Sequence, residues 1–225
     1  MAIKLTFFGH NTHMLDIGGK KVLIDPFFTS NPLTDVAADS VNPDFIIVSH
    51  GHFDHVEDLV SIAKRSGAQC ISNFEIVGWL GSQGVENAYS QNLGGGCKHE
   101  FGHLKLTIAH HTSMLPDGSN GGNPAGLLIT AEGKRLYFAC DTALFTDMQL
   151  YSDVDLLVVP IGDNFTMGPD DSIQAIKWIK PKMVVPCHYN TFPPIKQDAA
   201  AWAKRVETET EAKPVVLEAG ESLEI

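Results

Sequence analysis

The sequence predicts an α/β fold in which two β-sheets face one another and helices pack outside both. Three observations carry this. Short apolar runs bounded by turn residues crowd the first half of the chain. From about residue 145 onward, apolar strands alternate with segments of helical period. No linker, low-complexity tract or fixed short repeat divides the 225 residues, so residues 1–225 are expected to form one domain.

Taken in order, IKLTFFG (3–9), HMLDIG (13–18) and KKVLIDP (20–26) read as strands, with Gly18-Gly19 as a hairpin signal. DFIIVSH (44–50) is a buried strand that runs into a group of histidines. HVEDLVSIAKRS predicts a helix to about Ser66, followed by the strand AQCIS (68–72) and a helix over FEIVGWLGSQ (74–83). HEFGHLKLTIAHH (99–111) and AGLLITAEGKRLYFACD (125–141) read as hairpins, the second turning at Glu132-Gly133. A short helix near 145–151 precedes the strand VDLLVVP (154–160). The helix PDDSIQAIKWIK (169–180) opens on a proline and two aspartates, which suit the positive end of its dipole. The strand KMVVPCH (182–188), a helix over about 195–207 and the strand PVVLEA (214–219) complete the chain.

A composition of 44% hydrophobic and 19% charged residues supplies enough apolar material for a sizeable core. No run of about 18 apolar residues predicts a membrane span. MAIKLTFFGH carries a charge inside its apolar stretch and no small-residue cleavage site, so it reads as a first strand rather than a signal peptide. The net charge of −11 repels phosphate backbones, and nucleic acid is not an expected partner. Cys70, Cys97, Cys140 and Cys187 form no C-x-x-C pair and read as reduced thiols of a cytoplasmic protein. Cys140 and Cys187 adjoin ligand-type residues and are expected to line a site.

The chemistry is concentrated in SHGHFDHVED (49–58), which puts His50, His52, Asp54 and His55 within six positions. Asp54 alone reads equally as a helix cap. The histidines do not, because clustered imidazoles repel when protonated and cohere when a metal takes their lone pairs. Three further strand ends carry ligand-type residues: LKLTIAHH closes on His110-His111 before Thr112-Ser113, LYFACDT on Asp141, and MVVPCHYNTFP on His188. A lone histidine after a strand is most often a turn or surface residue, and Asp141 before Thr142 also fits a helix cap. Their joint occurrence in this order favours metal ligation.

With these residues in place, the chain resembles the metallo-β-lactamase superfamily over nearly its whole length. The blocks FFGHNTHMLDI, VLIDPFFTSNP, GGNPAGLLI, CDTALFTDM, PIGDNFTMGPDDS and PCHYNTFP are similar to the UPF0173 group of metal-dependent hydrolases, itself similar to the ascorbate-6-phosphate lactonases. The resemblance implies a four-layer αβ/βα sandwich with its site between the two sheets. It implies His50, His52 and His111 as ligands of one metal ion, Asp54, His55 and His188 as ligands of a second, and Asp141 bridging them. His111 is chosen over His110 because the family places the ligand just before small hydroxyl residues, and strand alternation would turn His110 the other way. Cys140 departs from the pattern, which has glycine before the bridging aspartate; the thiol is expected to narrow the pocket or approach the metals.

In such a centre two divalent ions about 3.5–4 Å apart share one hydroxide and clamp the attacked and leaving oxygens. Coordination lowers the water's pKa from about 15.7 to near 7. Asp54, the expected catalytic residue, orients the hydroxide or carries its proton. Nitrogen and oxygen ligands suit Zn²⁺ best, with Mn²⁺ and Fe²⁺ as alternatives. The expected activity is hydrolysis of an ester, lactone or phosphodiester in a small molecule. An RNA-processing nuclease of the same superfamily is disfavoured by the acidic charge and the lack of an inserted arm or extra domain. A flavin-coupled redox enzyme would need an attached flavodoxin-like domain. A non-catalytic metal-binding protein is disfavoured by the intact ligand set. The expected partner is the small-molecule substrate alone, with no membrane; a homo-oligomer stays open. Asp25 reads as holding a ligand histidine rather than acting directly. His10 reads equally as a substrate contact or a turn residue. Asn164 and Tyr189-Asn190-Thr191 are candidate substrate contacts. Asp58 and the nearby glutamates are expected to form a solvated helix face.

Overall fold

Tight turns and apolar alternation build the first sheet. Strands β1 (Ile3–Phe7), β2 (His13–Ile17) and β3 (Lys20–Ile24) pair antiparallel. Between β2 and β3, Gly18 and Gly19 take φ of 59° and 86°, the left-handed backbone that a two-residue hairpin turn requires. From β3 onward the pairing becomes parallel through β4 (Phe45–Ile47), β5 (Gln69–Ser72) and β6 (Ala88–Ser90). The second sheet repeats the plan. β7 (Gly96–His99), β8 (Gly102–Ile108), β9 (Ala125–Ala131) and β10 (Lys134–Phe138) are antiparallel, and β11 (Leu156–Pro160), β12 (Met183–Cys187) and β13 (Lys213–Pro214) add parallel. A last strand, β14 (Ser222–Glu224), returns to the free edge of β1. This computed structural model describes residues 2–225, and its two mixed sheets have seven strands each.

The pleat sorts side chains between layers. Val22 and Ile24 face the inter-sheet core, and Leu23 faces outward. Leu156 and Val158 on β11 face the same core, whereas Leu157 and Val159 turn to the opposite outer layer. Helices α2 (Leu59–Ser66) and α3 (Phe74–Ser82) cover the first sheet with Leu59, Ile62, Ile76 and Leu80. Helices α4 (Pro169–Ile179) and α5 (Ala199–Glu209) cover the second with Ile173, Ile176, Trp202 and Val206. The result is the four-layer helix–sheet–sheet–helix order. Among the described residues no helix is long and apolar enough to cross a membrane.

Three departures from the expected elements have physical causes. The helix following the histidines is broken into α1 (Phe53–Val56) and α2. Asp58 sits at the break with its carboxylate accepting from the Phe28 and Thr29 backbone N–H groups at 2.7 and 2.9 Å. It is therefore buried and joins two loops, not part of a solvated face. Strand β8 stops at Ile108, so His110 and His111 lie in a loop. PVVLEA contributes only the end of the two-residue β13, while β6 and β14 form from segments too short and polar to show a strand pattern.

Strand direction places the site. Antiparallel strands two apart, and parallel neighbours, send their C-terminal ends the same way. The loops after β1, β3 and β4 in one sheet and after β8, β10 and β12 in the other therefore meet at one end of the sandwich.

Candidate metal centre

Those loops carry His10, Asp25, His50, His52, His111, Asp141 and His188, and the short α1 that follows the loop after β4 carries Asp54 and His55. Their close approach is held by backbone in the left-handed region: φ is 57° at His10, 46° at Asp25, 54° at Cys140 and 52° at His188. Such non-glycine positions cost about 1–3 kcal/mol each and persist only where surrounding structure fixes them.

Asp141 is the hub. Its Oδ2 lies 3.0 Å from His188 Nε2, 3.5 Å from His55 Nε2, 3.5 Å from His111 Nε2 and 3.9 Å from His50 Nε2. Asp54 Oδ2 lies 3.8 Å from both His55 Nε2 and His188 Nε2. Three groups of donor atoms result: His50, His52 and His111 in one, Asp54, His55 and His188 with His10 in another, and Asp25 with His50 and His55 in a third. All seven residues expected as ligands thus converge, and His10 joins them. His110 does not; it is exposed, with its ring 4.8 Å from that of Phe145.

Neighbouring groups set the tautomers that leave lone pairs facing inward. Asp25 accepts from Asn11 Nδ2 at 2.7 Å, Ser49 N at 2.7 Å, Ser49 Oγ at 2.6 Å and His55 Nδ1 at 2.8 Å. Nδ1 of His55 therefore carries a proton, and Nε2 points to the centre. Since Ser49 Oγ donates to Asp25, it accepts from His50 Nδ1 at 3.0 Å, which turns the His50 Nε2 lone pair inward too. Buried atoms at the centre lack hydrogen-bond partners: His55 Nε2, Asp141 Oδ1 and both ring nitrogens of His188. Unpaired buried polar atoms are costly. A buried set of nitrogen and carboxylate donors aimed at one another fits divalent cations.

The electrostatics agree. Burial alone would depress His55, but Asp141, Asp25 and Asp54 surround it and hold its pKa well above the usual histidine value. Burial and the neighbouring His55 hold His50 well below that value. Burial would raise Asp141 and Asp54, but His188 and His55 on the first, and His55 and His10 on the second, keep both below the usual carboxylate range. The centre attracts positive charge.

A cleft of about 720 Å³ opens on this centre. His52, Asp54, His111, Asp141 and His188 form its floor. Its walls are Phe53 from α1, Met114, Leu115 and Pro116 from the loop after β8, Phe165 from the loop after β11, and Phe192 and Pro194 after β12. Sequence reasoning missed these walls, because isolated apolar residues in loops carry no periodic signal. Asn164 does not line the cleft; its neighbour Phe165 does. Tyr189 packs into the outer core beside α4 and α5, Asn190 Oδ1 accepts from Gln197 N at 2.8 Å, and Thr191 reaches His10. Cys140 and Cys187 face the core between the sheets, so neither thiol lines the site, and burial pushes both thiols well up.

Residues 20–189 match the family described as Beta-lactamase superfamily domain. The chain is 46% identical over 231 residues to a UPF0173 metal-dependent hydrolase of Shouchella clausii, covering 99% of this chain and all of that one. It is 47% identical over 229 residues to another of Bacillus cereus, covering 98% and 99%. Among solved structures it is similar to Igni18, a metallo hydrolase of Ignicoccus hospitalis, with 34% identity, a TM-score of 0.92 and coverage of 100% and 99%. The metallo-beta-lactamase fold protein YhfI of Bacillus subtilis, 14% identical over all of both chains with a TM-score of 0.79, shares the fold.

Proposed function

Because the chain belongs to the UPF0173 metal-dependent hydrolases of the β-lactamase superfamily, we propose that it holds two divalent ions and hydrolyses an ester, lactone or phosphodiester bond in a small molecule. The observation that carries this reading is the position of Asp141 Oδ2, within 3.0–3.9 Å of four imidazole nitrogens drawn from the first two donor groups. His50, His52 and His111 would hold one ion, Asp54, His55 and His188 the other, and Asp141 both. Zn²⁺ suits this donor set best, with Mn²⁺ and Fe²⁺ as alternatives.

When bound, the ions supply a hydroxide nucleophile at neutral pH and polarise the substrate oxygen. The protein's own residues do the rest. Asp54 borders the cleft with Oδ2 tied to His10, which leaves its other oxygen to orient the nucleophile and accept its proton. Asp25 fixes His55, and Ser49 fixes His50, so neither ring turns during the reaction. The apolar walls hold the substrate against this floor and displace bulk water. The four unpaired cysteines support a reducing compartment such as the cytoplasm. The nuclease alternative gains no support: no lysine or arginine lines the cleft.

The test is to strip the protein, reload it with Zn²⁺ or Mn²⁺, measure metal content and assay a panel of lactones, esters, thioesters and phosphodiesters. Two equivalents of metal with turnover of one class supports the reading; less than one equivalent after reloading rejects it.

A further inference from the structure

The cleft walls carry more information than the metal floor. Eight large apolar side chains are exposed among the described residues, and three of them, Phe53 (49%), Met114 (62%) and Phe165 (54%), line this one cleft. They arrive from three separate segments, so local sequence bias does not explain their meeting. Phe53 is braced by Phe27 and Phe192, with ring centroids at 5.7 and 6.4 Å. Its ring is thereby a fixed wall, not a loose surface side chain. Beyond the residues of the metal floor, the only polar side chain lining the cleft is Thr112. Away from the metal floor, no lysine or arginine side chain lines the cleft to receive an anionic group.

We propose that the substrate is an uncharged acyl compound, an ester, thioester or lactone bearing an apolar group, and that Phe53, Met114 and Phe165 select it by burying that group. This rests on the hydrolase reading above and narrows it. Water adds across the acyl bond: a carbon–oxygen bond to hydroxide forms, the bond to the alkoxide or thiolate breaks, and the proton goes to the leaving group. A phosphodiester could find counter-charge only at the ions of the floor, beside Asp54 and Asp141, and an anionic group at the far end of an acyl substrate would find none along the phenylalanine and methionine wall. Desolvating such a group without a partner is strongly unfavourable, whereas each buried methylene is favourable. The wall thus discriminates by polarity, as an apolar pocket with few placed polar groups does.

The experiment uses the Zn²⁺-loaded full chain and one leaving group throughout: p-nitrophenyl esters from acetate to octanoate, a p-nitrophenyl ester with a terminal carboxylate, and bis(p-nitrophenyl) phosphate. We expect kcat/KM to rise about three- to fourfold per methylene until the cleft is filled, and the carboxylate ester and the phosphodiester to fall well below the neutral ester of matched length. Phe165→Ala and Met114→Ala, each at an exposed position, should lower the octanoate-to-acetate ratio, and Phe165→Lys should shift preference toward the carboxylate ester. Preference for the phosphodiester, or acyl hydrolysis with no dependence on chain length, overturns the inference and leaves the hydrolase reading standing. No turnover of any acyl member, nor of a neutral apolar lactone or thioester, by protein holding two ions overturns this inference, and the hydrolase reading falls with it only if the phosphodiesters also stay intact.

Discussion

His10 Nε2 lies 2.8 Å from Asp54 Oδ2, joining a fully buried imidazole to the carboxylate that borders the cleft. Burial and the neighbouring His188 lower the His10 pKa to about 3, so the ring is neutral and has one proton to place. An ionised Asp54 requires that proton on Nε2. Nδ1 then accepts from Thr191 Oγ1 at 2.8 Å. His10 therefore positions Asp54 rather than offering a lone pair to a metal. His10→Phe should weaken the Asp54-bearing metal site 10–100-fold, the loss typical when a ligand's supporting partner is removed. His10→Gln, which keeps a donor, should recover part of it. Chelator competition measures the affinity; equal affinity in His10→Phe and the native protein rejects the positioning role.

Asp54 itself separates turnover from metal retention. Asp54→Asn leaves His50, His52 and His111 intact, so about one ion should remain. The second site loses an anionic ligand and the nucleophile loses its orienting base, and hydrolysis should fall by about 10²-fold or more. Elemental analysis alongside a steady-state assay checks both halves. Near-native turnover would return Asp54 to a purely structural place at the start of α1.

The two adjacent histidines after β8 make a sharper test. His111 Nε2 lies 3.5 Å from Asp141 Oδ2, while His110 is exposed. His111→Ala should lose one ion; His110→Ala should keep both and hold near-native activity. The reverse pattern of metal content would overturn the assignment.

The same pair shows how far the sequence could be read. Apolar period, turn residues and polar strand ends are local signals, and they placed both sheets, the outer helices and the ligand-type residues. The expectation that strand alternation separates His110 from His111 was wrong in its reason, because β8 ends at Ile108. The loop, anchored by the Thr142 Oγ1 contact to His110 N at 3.0 Å, does the separating instead. Asp58 was missed for a related cause: a carboxylate that joins two loops across 29 residues has no sequence signature. The aromatic wall of the cleft has none either, since Phe53, Phe165 and Phe192 meet only in three dimensions.

Cys140 occupies φ +54°, where the family pattern has glycine. Replacing it with glycine relieves a left-handed side chain worth about 1–2 kcal/mol but removes a buried thiol worth a similar amount. Cys140→Gly should therefore change stability by less than about 1 kcal/mol. Cys140→Val places a β-branched residue at positive φ in a packed core and should cost about 2 kcal/mol or more, a fall in Tm of about 4–8 °C. Thermal unfolding of the two variants compares them directly; equal stability would mean that the backbone at 140 is not constraining.

Acid should expose a second weakness, in the core rather than the metal centre. His13 is fully buried, neither ring nitrogen has a partner, and its ring lies 5.2 Å from Phe7 and 5.4 Å from Phe138. Burial alone lowers its pKa to about 3. The folded state thus keeps His13 neutral, while the unfolded chain binds a proton near pH 6.5. The sign follows: stability is undiminished above about pH 6.5 and is lost progressively as pH falls from there toward 3. At pH 5 the loss from this one group is about 2 kcal/mol. His10, lowered for a similar reason, adds to the loss over the same window. His13→Phe keeps a ring between Phe7 and Phe138 and removes one proton from the linkage. Between pH 7 and pH 5 the variant should lose about 2 kcal/mol less than the native chain, whatever its absolute stability. Urea unfolding of the metal-stripped proteins at the two pH values measures this, and identical pH dependence in both would mean that His13 can be protonated without unfolding.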